Sequence, residues 1–335
     1  MLTWLRFIAL AGALHAAAAA PALAQADGGV ALLAPLSGPF GTYGQSMGAS
    51  ARAVLGDEVT VLDDGCEAPI AARAARTAAA SGARLVIGLP CIDAFDAAMP
   101  ILAEADVPVL ATGIQAPDIT GTHATTGRWP VFRVAPPADQ EIEVLADHLA
   151  THWRNVAFAV IDDGTLYGRQ LAENVRLALA ERALEPVYAD TFRPLVETQA
   201  ALVRRLRRAG ATHALIGGDA RDAAVIAADA ARLDYELTLA GGSFLLAPPE
   251  EGALPDGTLI ATIPPGTDFT RIAAQIARQT LAADASALAA LRARSFETAA
   301  GALAFTGAGE PQTMFYKMHV IDDGALVPVS DNEAN

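Results

Sequence analysis

Short apolar runs alternate along the chain with longer stretches of helical character. The pattern is clearest in residues 85–110, where an apolar run, a helical stretch and a second apolar run follow one another. Two apolar segments that flank a helix are typical of a unit with two parallel strands. In open parallel sheets, ligands bind beyond the carboxyl ends of the strands. We therefore expect a binding site near the turns at residues 91–93 and 112–115.

The same alternation continues on both sides of Pro136 and Pro137. Strands are predicted at residues 28–36, 59–62, 85–87, 107–110, 131–134, 156–161, 186–191, 213–216, 237–240, 259–263 and 314–321. Helices are predicted at residues 45–55, 70–80 and 139–152, from the turn at 162–168 to about residue 182, and at residues 198–209, 220–233, 270–281 and 285–292. This order predicts an α/β fold with two doubly wound parallel-sheet lobes, a hinge and an interlobe cleft. The two prolines mark a crossing between the lobes, and Pro264 and Pro265 mark a second one.

The first residues have the features of a secretory signal peptide. Residues 1–6 carry one positive charge, residues 7–20 are apolar, and residues 21–26 offer small-residue cleavage patterns. The apolar stretch is short for a bilayer-spanning helix, although an N-terminal membrane anchor is the alternative. We predict a signal peptide at residues 1–26. No later apolar run reaches the roughly 20 residues that a membrane helix needs.

Length and charge narrow the function. About 310 residues remain after the predicted signal peptide, which is more than one core usually holds. We assign residues 27–135 and 264–319 to lobe 1, and residues 136–263 and 320–335 to lobe 2. The formal charge of −15 becomes −16 without the signal peptide, which contains one arginine and no acidic residue. This charge argues against nucleic acid or an anionic membrane as a partner.

The two cysteines, Cys66 and Cys91, both lie in the part predicted to be exported. An oxidising compartment favours a disulfide between them. The alternative is a Cys91 nucleophile, which requires a free thiol and a nearby histidine such as His123 or His148. The even number of cysteines argues against this alternative.

A set of segments, taken in chain order, resembles one family. The segments are APLSGPFGTYG, DDGCEAP, VIGLPCID, TGIQAPDIT, FRVAPPADQ, VIDDGTLYGRQLA and the GGD turn. Together they resemble periplasmic substrate-binding proteins of the leucine/isoleucine/valine-binding group, which have the type I fold. The resemblance runs from Val30 to about Phe244, and the C-terminal part is shorter than the family pattern. It implies a periplasmic monomer with three crossovers, a Cys66–Cys91 disulfide, a small-molecule ligand and an ABC permease as partner.

Several ligand-binding positions of that family carry different residues here. A serine after the second cysteine, which binds the carboxylate of the amino acid, corresponds to Ile92. A threonine with the same role corresponds to Gln115, and its small neighbour to Gly113. A glutamate that binds the ammonium group corresponds to Ser243, and a tyrosine of lobe 2 to Asp219. Two structural alternatives remain, because Asp219 suits a helix N-cap and Ile92 suits a core.

The remaining candidates are aromatic. Tyr43 and Tyr167 match the family pattern, and Phe40 and Phe244 lie in the same turns. With Ile92 they would line an apolar or aromatic slot. We therefore expect a less polar or aromatic small organic ligand rather than a plain branched-chain amino acid.

Catalysis has little support in the residue pattern. The chain shows no Ser/His/Asp order, no metal-binding histidine pair and no phosphate loop. The acidic pairs at residues 63–64 and 162–163 follow strands without the spacing of a calcium loop, so we interpret them as turn residues. We expect no enzymatic activity and no cofactor. A ligand sensor, which presents its closed state to a membrane receptor or kinase, is the alternative to transport.

Overall fold

The computed structural model describes residues 29–116, 119–120, 129–246 and 253–329. The predicted signal peptide, His123 and the end of the acidic tail lie outside these residues. Within them, no helix combines the length and apolar character that a membrane crossing requires.

The first sheet contains five parallel strands in the order β2-β1-β3-β4-β5. They are β1 (Val30–Ala34), β2 (Val59–Asp63), β3 (Leu85–Gly88), β4 (Val109–Ala111) and β5 (Val131–Arg133). The connecting helices are α1 (Gly41–Leu55), α2 (Ala68–Ala80) and α3 (Ile92–Glu104). Every residue of β1 and β3 is buried, since helices cover both faces of the sheet.

The second sheet has the order β14-β13-β10-β9-β8-β6-β7. Its parallel strands are β6 (Phe158–Asp162), β7 (Tyr188–Thr191), β8 (His213–Gly217), β9 (Thr238–Gly241) and β10 (Leu259–Thr262). Two antiparallel strands follow at one edge, β13 (Lys317–Asp322) and β14 (Ala325–Pro328). The helices α4 (Asp139–His152) and α5 (Leu166–Glu181) pack on one face, and α6 (Ala200–Ala209) and α7 (Ala220–Arg232) on the other.

The chain returns to the first sheet between β10 and β13. Helix α8 (Phe269–Leu281) packs against α1 and β3, and α9 (Ala287–Ala293) and the hairpin β11 (Phe296–Thr298) and β12 (Gly301–Leu303) join the same core. The chain therefore crosses between the sheets after β5, after β10 and after β12. The predicted fold class is confirmed. The bounds of the lobes stay a prediction, and the boundary set at residue 319 falls inside β13.

The C-terminal part differs most from the sequence-based prediction. The strand predicted at residues 314–321 begins at Lys317, and the hairpin β11–β12 and strand β14 were not predicted. Strands β13 and β14 are joined through Asp323 and Gly324, which both have positive φ angles. An Asp-Gly pair is a strong hairpin signal, so the sequence contained an indication of the β13–β14 hairpin. Strand β14 is a short, partly exposed segment of four residues (Ala325–Pro328).

The predicted disulfide is confirmed. Cys66 and Cys91 are joined, with their Cα atoms 5.3 Å apart. The bond links the turn after β2 to the residue that precedes α3. Because both thiols are consumed, the alternative of a Cys91 nucleophile is wrong.

Removing the disulfide should lower the stability of the protein. On the chain-entropy argument, closing the loop of 25 residues stabilises the fold by about 3.5 kcal/mol. We expect a Cys66→Ala/Cys91→Ala variant to lose roughly that much unfolding free energy in urea denaturation. An unchanged denaturation midpoint would show that the bond contributes nothing.

Asp64, in the same turn, should make stability depend on pH. Its side chain is fully buried, Oδ1 accepts a hydrogen bond from the Cys66 amide (2.9 Å), and Oδ2 has no partner among the described residues. Burial, with a smaller contribution from Asp63, raises the pKa of Asp64 from 3.8 to about 6. The folded state therefore binds a proton more tightly than the unfolded state, and unfolding free energy falls as pH rises through this interval.

Substituting Asp64→Asn should remove this loss. We compare the unfolding free energy of the variant with that of the parent protein at each pH. The difference should be about 1 to 3 kcal/mol more favourable to the variant at pH 7.5 than at pH 4. Urea denaturation at both pH values measures it, with exposed Asp57→Asn as the control. Equal pH dependence in parent and variant contradicts the assignment.

Candidate functional site

The predicted ligand-binding residues lie at the carboxyl ends of the strands or in the first turns of the helices that follow. In the first lobe these are Phe40, Tyr43, Ile92, Gly113 and Gln115. In the second lobe they are Tyr167, Asp219, Ser243 and Phe244. The sheet topology therefore places both groups at the edges where ligands bind in open α/β sheets.

Three large apolar side chains of the first lobe are half exposed. Phe40 is 51% exposed, Tyr43 49% and Ile92 44%. Ile92 is the first residue of α3 and is not a core residue, so that alternative is wrong. Burial and the negative charge of Asp268 raise the pKa of Tyr43. These side chains offer apolar surface that a ligand could cover.

Gly113 and Gln115 follow β4. A methyl group on Gly113 would lie 2.8 Å from Cβ of Pro90, so the turn has no room for a side chain there. The Gln115 carbonyl accepts a hydrogen bond from the Ala138 amide at 3.3 Å, next to the first chain crossing. Its exposed side chain reaches the hydroxyl of Tyr316, which belongs to the third crossing.

Glu141 lies at the centre of the second-lobe group and was missed by the sequence reasoning. Its side chain is only 5% exposed. Oε1 accepts hydrogen bonds from the Ser243 amide (2.6 Å) and the Ser243 hydroxyl (2.7 Å). The Tyr167 hydroxyl lies 3.2 Å from each carboxylate oxygen. An acidic residue in the first turn of a helix usually complements the helix dipole, which explains why sequence alone did not single it out.

Burial controls the electrostatics of this group. It raises the pKa of Glu141, and the hydrogen bonds from Ser243 and Tyr167 offset part of that effect. Burial, followed by the negative charge of Glu141, raises the pKa of Tyr167 and brings the pKa of Tyr316 to about 12. Both tyrosines therefore remain protonated hydrogen-bond donors at neutral pH.

Tyr167 and Phe244 form an aromatic pair beside Glu141. Their ring centroids are 3.9 Å apart and their planes are inclined by 23°. Phe244 is 51% exposed, so the pair presents a flat aromatic surface. The structure thus brings together Tyr167, Ser243 and Phe244 of the predicted residues. No recorded contact joins them to Phe40, Tyr43 or Ile92 across the described residues.

Asp219 has the helix-capping role that the sequence analysis gave as the alternative to ligand contact. It is the N-cap of α7, where its Oδ1 accepts a hydrogen bond from the Asp222 amide at 2.9 Å. The acidic turn residues behave in the same way, since Asp63 accepts from the amide of Gly65 and Asp162 from that of Gly164. Ligand contact by Asp219 stays a prediction.

Comparison with known sequences gives a consistent result. Residues 29–261 match the profile of a family described as periplasmic binding proteins. BraC3 of Rhizobium johnstonii, a Leu/Ile/Val-binding protein, is 28% identical over 248 residues, which are 70% of this chain and 66% of BraC3. Leu/Ile/Val-binding protein homolog 3 of Brucella melitensis is 28% identical over 207 residues, 58% of this chain and 55% of that protein. The chain spans between about half and two thirds of the length of these relatives.

Crystal structures support the same fold. A protein from Rhodospirillum rubrum superposes with a TM-score of 0.71 at 16% identity and covers 90% of this chain and 100% of its own. A type 1 periplasmic binding protein from Bordetella pertussis gives a TM-score of 0.54 at 20% identity, with 90% and 100% coverage. At these identities the likeness shows the fold alone.

Gly242 provides a test of the packing around Glu141. A methyl group at this position would overlap the Tyr167 hydroxyl and lie 2.7 Å from Oε1 of Glu141. We expect Gly242→Ala to lower the unfolding free energy by about 1 to 3 kcal/mol, because both side chains must shift. Gly307→Ala is the matched control, since its methyl group would enter open space. Equal stability of the two variants in urea denaturation contradicts the packing described here.

Proposed function

Because the chain belongs to the periplasmic binding protein family, we propose that it is the solute-binding component of an ABC importer. It binds a small organic ligand between its lobes in the periplasm, acts as a monomer without catalysis, and delivers the ligand to a permease in the inner membrane. The arrangement of the two sheets carries this proposal. Their carboxyl ends present Gln115 on one side and Tyr167 and Ser243 on the other, and three crossings join them. Hinge closure of such lobes encloses a ligand.

The ligand we propose has an apolar or aromatic body and is not a plain branched-chain amino acid. Ile92 has no hydroxyl for a ligand carboxylate, and both donors of Ser243 point to Glu141. An amino acid head group would therefore lack the contacts that the related Leu/Ile/Val-binding pattern uses at these positions. The head group is expensive to enclose without partners, because unpaired charges lose their hydration.

Exposed aromatic rings would bind the ligand in place of those polar head-group contacts. Phe40, Tyr43 and Phe244 are each about half exposed in the open surface. Covering apolar surface contributes about 25 cal/mol per Å². A planar ligand could also stack on the Tyr167–Phe244 pair, an arrangement that adds about 0.5 to 1.5 kcal/mol for aromatic partners.

The bound molecule can be identified directly. We expect mass spectrometry of protein purified from its own host to release one small organic compound in stoichiometric amount. Deleting the gene should then abolish uptake of that compound. Binding with normal uptake in the deletion strain favours the sensor, and tight binding of leucine contradicts the proposed ligand class.

Truncating the aromatic residues should weaken binding of the identified compound. We expect Phe244→Ala and Tyr43→Ala each to lower its affinity at least about 10-fold, equivalent to about 1.4 kcal/mol, measured by isothermal titration calorimetry. Leu177→Ala is the control, because Leu177 is 48% exposed on α5 and is not among the site residues. Equal affinities in all variants would place the ligand elsewhere.

A further inference from the structure

Glu141 is a buried carboxylate that forms no ion pair within the part of the chain that the structure describes. None of the ion pairs recorded among the described residues includes it. Enclosing a charge in a protein is costly unless a charge of the opposite sign or several hydrogen bonds compensate. Three donors from Ser243 and Tyr167 compensate the Glu141 carboxylate among the described residues.

The two carboxylate oxygens are not equally used. Oε1 accepts both hydrogen bonds from Ser243, whereas the sole recorded contact of Oε2 is the Tyr167 hydroxyl at 3.2 Å. That hydroxyl has one proton and also lies 3.2 Å from Oε1. Since a carboxylate can accept about four hydrogen bonds, Oε2 retains acceptor capacity for another donor.

Glu141 lies in the second lobe beside the third crossing, where its charge acts on Tyr316. The neighbouring Gln140 side chain accepts a hydrogen bond from the Phe315 amide (3.1 Å) and donates to the Thr313 carbonyl (3.3 Å), which ties α4 to the third crossing. In that crossing, the Tyr316 hydroxyl approaches the side chains of Ser243 in the second lobe and Gln115 in the first. The carboxylate is therefore close to the residues that would enclose a ligand.

The surrounding residues add negative charge and aromatic surface. Asp219 lies at the same edge of the second sheet, and the charge of Asp268 acts on Tyr43. None of the predicted ligand-binding residues is a lysine, arginine or histidine, and the whole chain carries −15. Aromatic faces such as that of Tyr167 and Phe244 attract cations, most strongly when water is excluded.

We propose that the cleft selects a ligand with a protonated nitrogen on an apolar or aromatic body, and that Glu141 supplies its counter-charge. This inference rests on the proposed function and narrows its ligand to an organic amine. The carboxylate comes from α4 rather than from position 243, and the position of Ile92 offers no hydroxyl for a carboxylate. The expected ligand is therefore a cation and not a zwitterion or an anion.

Four compounds with the same ring test the charge preference. They are 2-phenylethylamine, 2-phenylethanol, 3-phenylpropionate and phenylalanine. We expect calorimetry with the full mature protein to show at least 10-fold tighter binding of the amine than of the other three. Binding of the alcohol or the acid at equal or higher affinity overturns the inference while leaving the binding function intact. No binding of any of the four also overturns it, and only the absence of any ligand from host-purified protein counts against the proposed function.

Glu141→Gln tests the role of the carboxylate. The amide keeps an oxygen for the two Ser243 donors but removes the negative charge. We expect the affinity for 2-phenylethylamine to fall 10- to 100-fold and the affinity for 2-phenylethanol to change less than about threefold. Glu143→Gln, an exposed position on the same helix, is the control and should leave both affinities unchanged. Retained amine preference in Glu141→Gln overturns the proposal.

A pH series on the parent protein covers the case in which Glu141→Gln fails to fold. Burial raises the pKa of Glu141, so its charge is lost sooner than that of an exposed glutamate as the pH is lowered below neutral. The titratable groups that face it, Tyr167 and Tyr316, have pKa values raised by burial and stay protonated over this range. We expect amine affinity to fall with pH while alcohol affinity stays constant. Parallel behaviour of the two compounds overturns the proposal.

Discussion

The structure depends on the burial of both faces of its parallel strands. Strands β1 and β3 carry no polar side chain, so helices must cover both sides of the sheet. Helices α1, α2 and α3 connect the strands from β1 to β4, and α5, α6 and α7 connect those from β6 to β9, so each of these connections returns the chain to the same edge. As a result, the candidate residues in the turns and first helical turns after β1, β3, β4, β6, β8 and β9 lie at the carboxyl edges of the two sheets. The direction of the strands thus determines where the candidate residues of the site lie.

The three crossings between the sheets have a second consequence. They bring residues that are far apart in the chain into one small region, as shown by Gln140 contacting Thr313 and Phe315. Glu141 follows Gln140 directly and reaches Ser243, which lies 102 residues further along the chain. A buried carboxylate in this region must be satisfied by donors from several elements. Ser243 uses its amide and its hydroxyl for this purpose, so the residue serves the protein's own carboxylate first.

Much of the fold could be predicted from sequence because its signals are local. Apolar runs marked most of the parallel strands, Gly and Pro marked the turns, and two cysteines in the part predicted to be exported indicated the disulfide that joins Cys66 to Cys91. The strands β11, β12 and β14 were missed because they are short and partly exposed, and their pairing is what defines them. The position of Asp219 at a turn before a helix indicates a cap, and Asp219 is the N-cap of α7.

For the candidate site too, the sequence predicted the local features and the tertiary structure determined the long-range contacts. The chain alone determined which turns lie at carboxyl ends and which of them carry rings, since both follow from apolar periodicity and residue type. It could not show that Glu141 contacts Ser243 and Tyr167, or that Tyr167 stacks on Phe244. Those contacts arise from the packing of α4, α5 and the turn after β9 around the ends of the second sheet. Long-range packing of this kind leaves no periodic trace in the sequence, and only the tertiary structure decides which side chains meet.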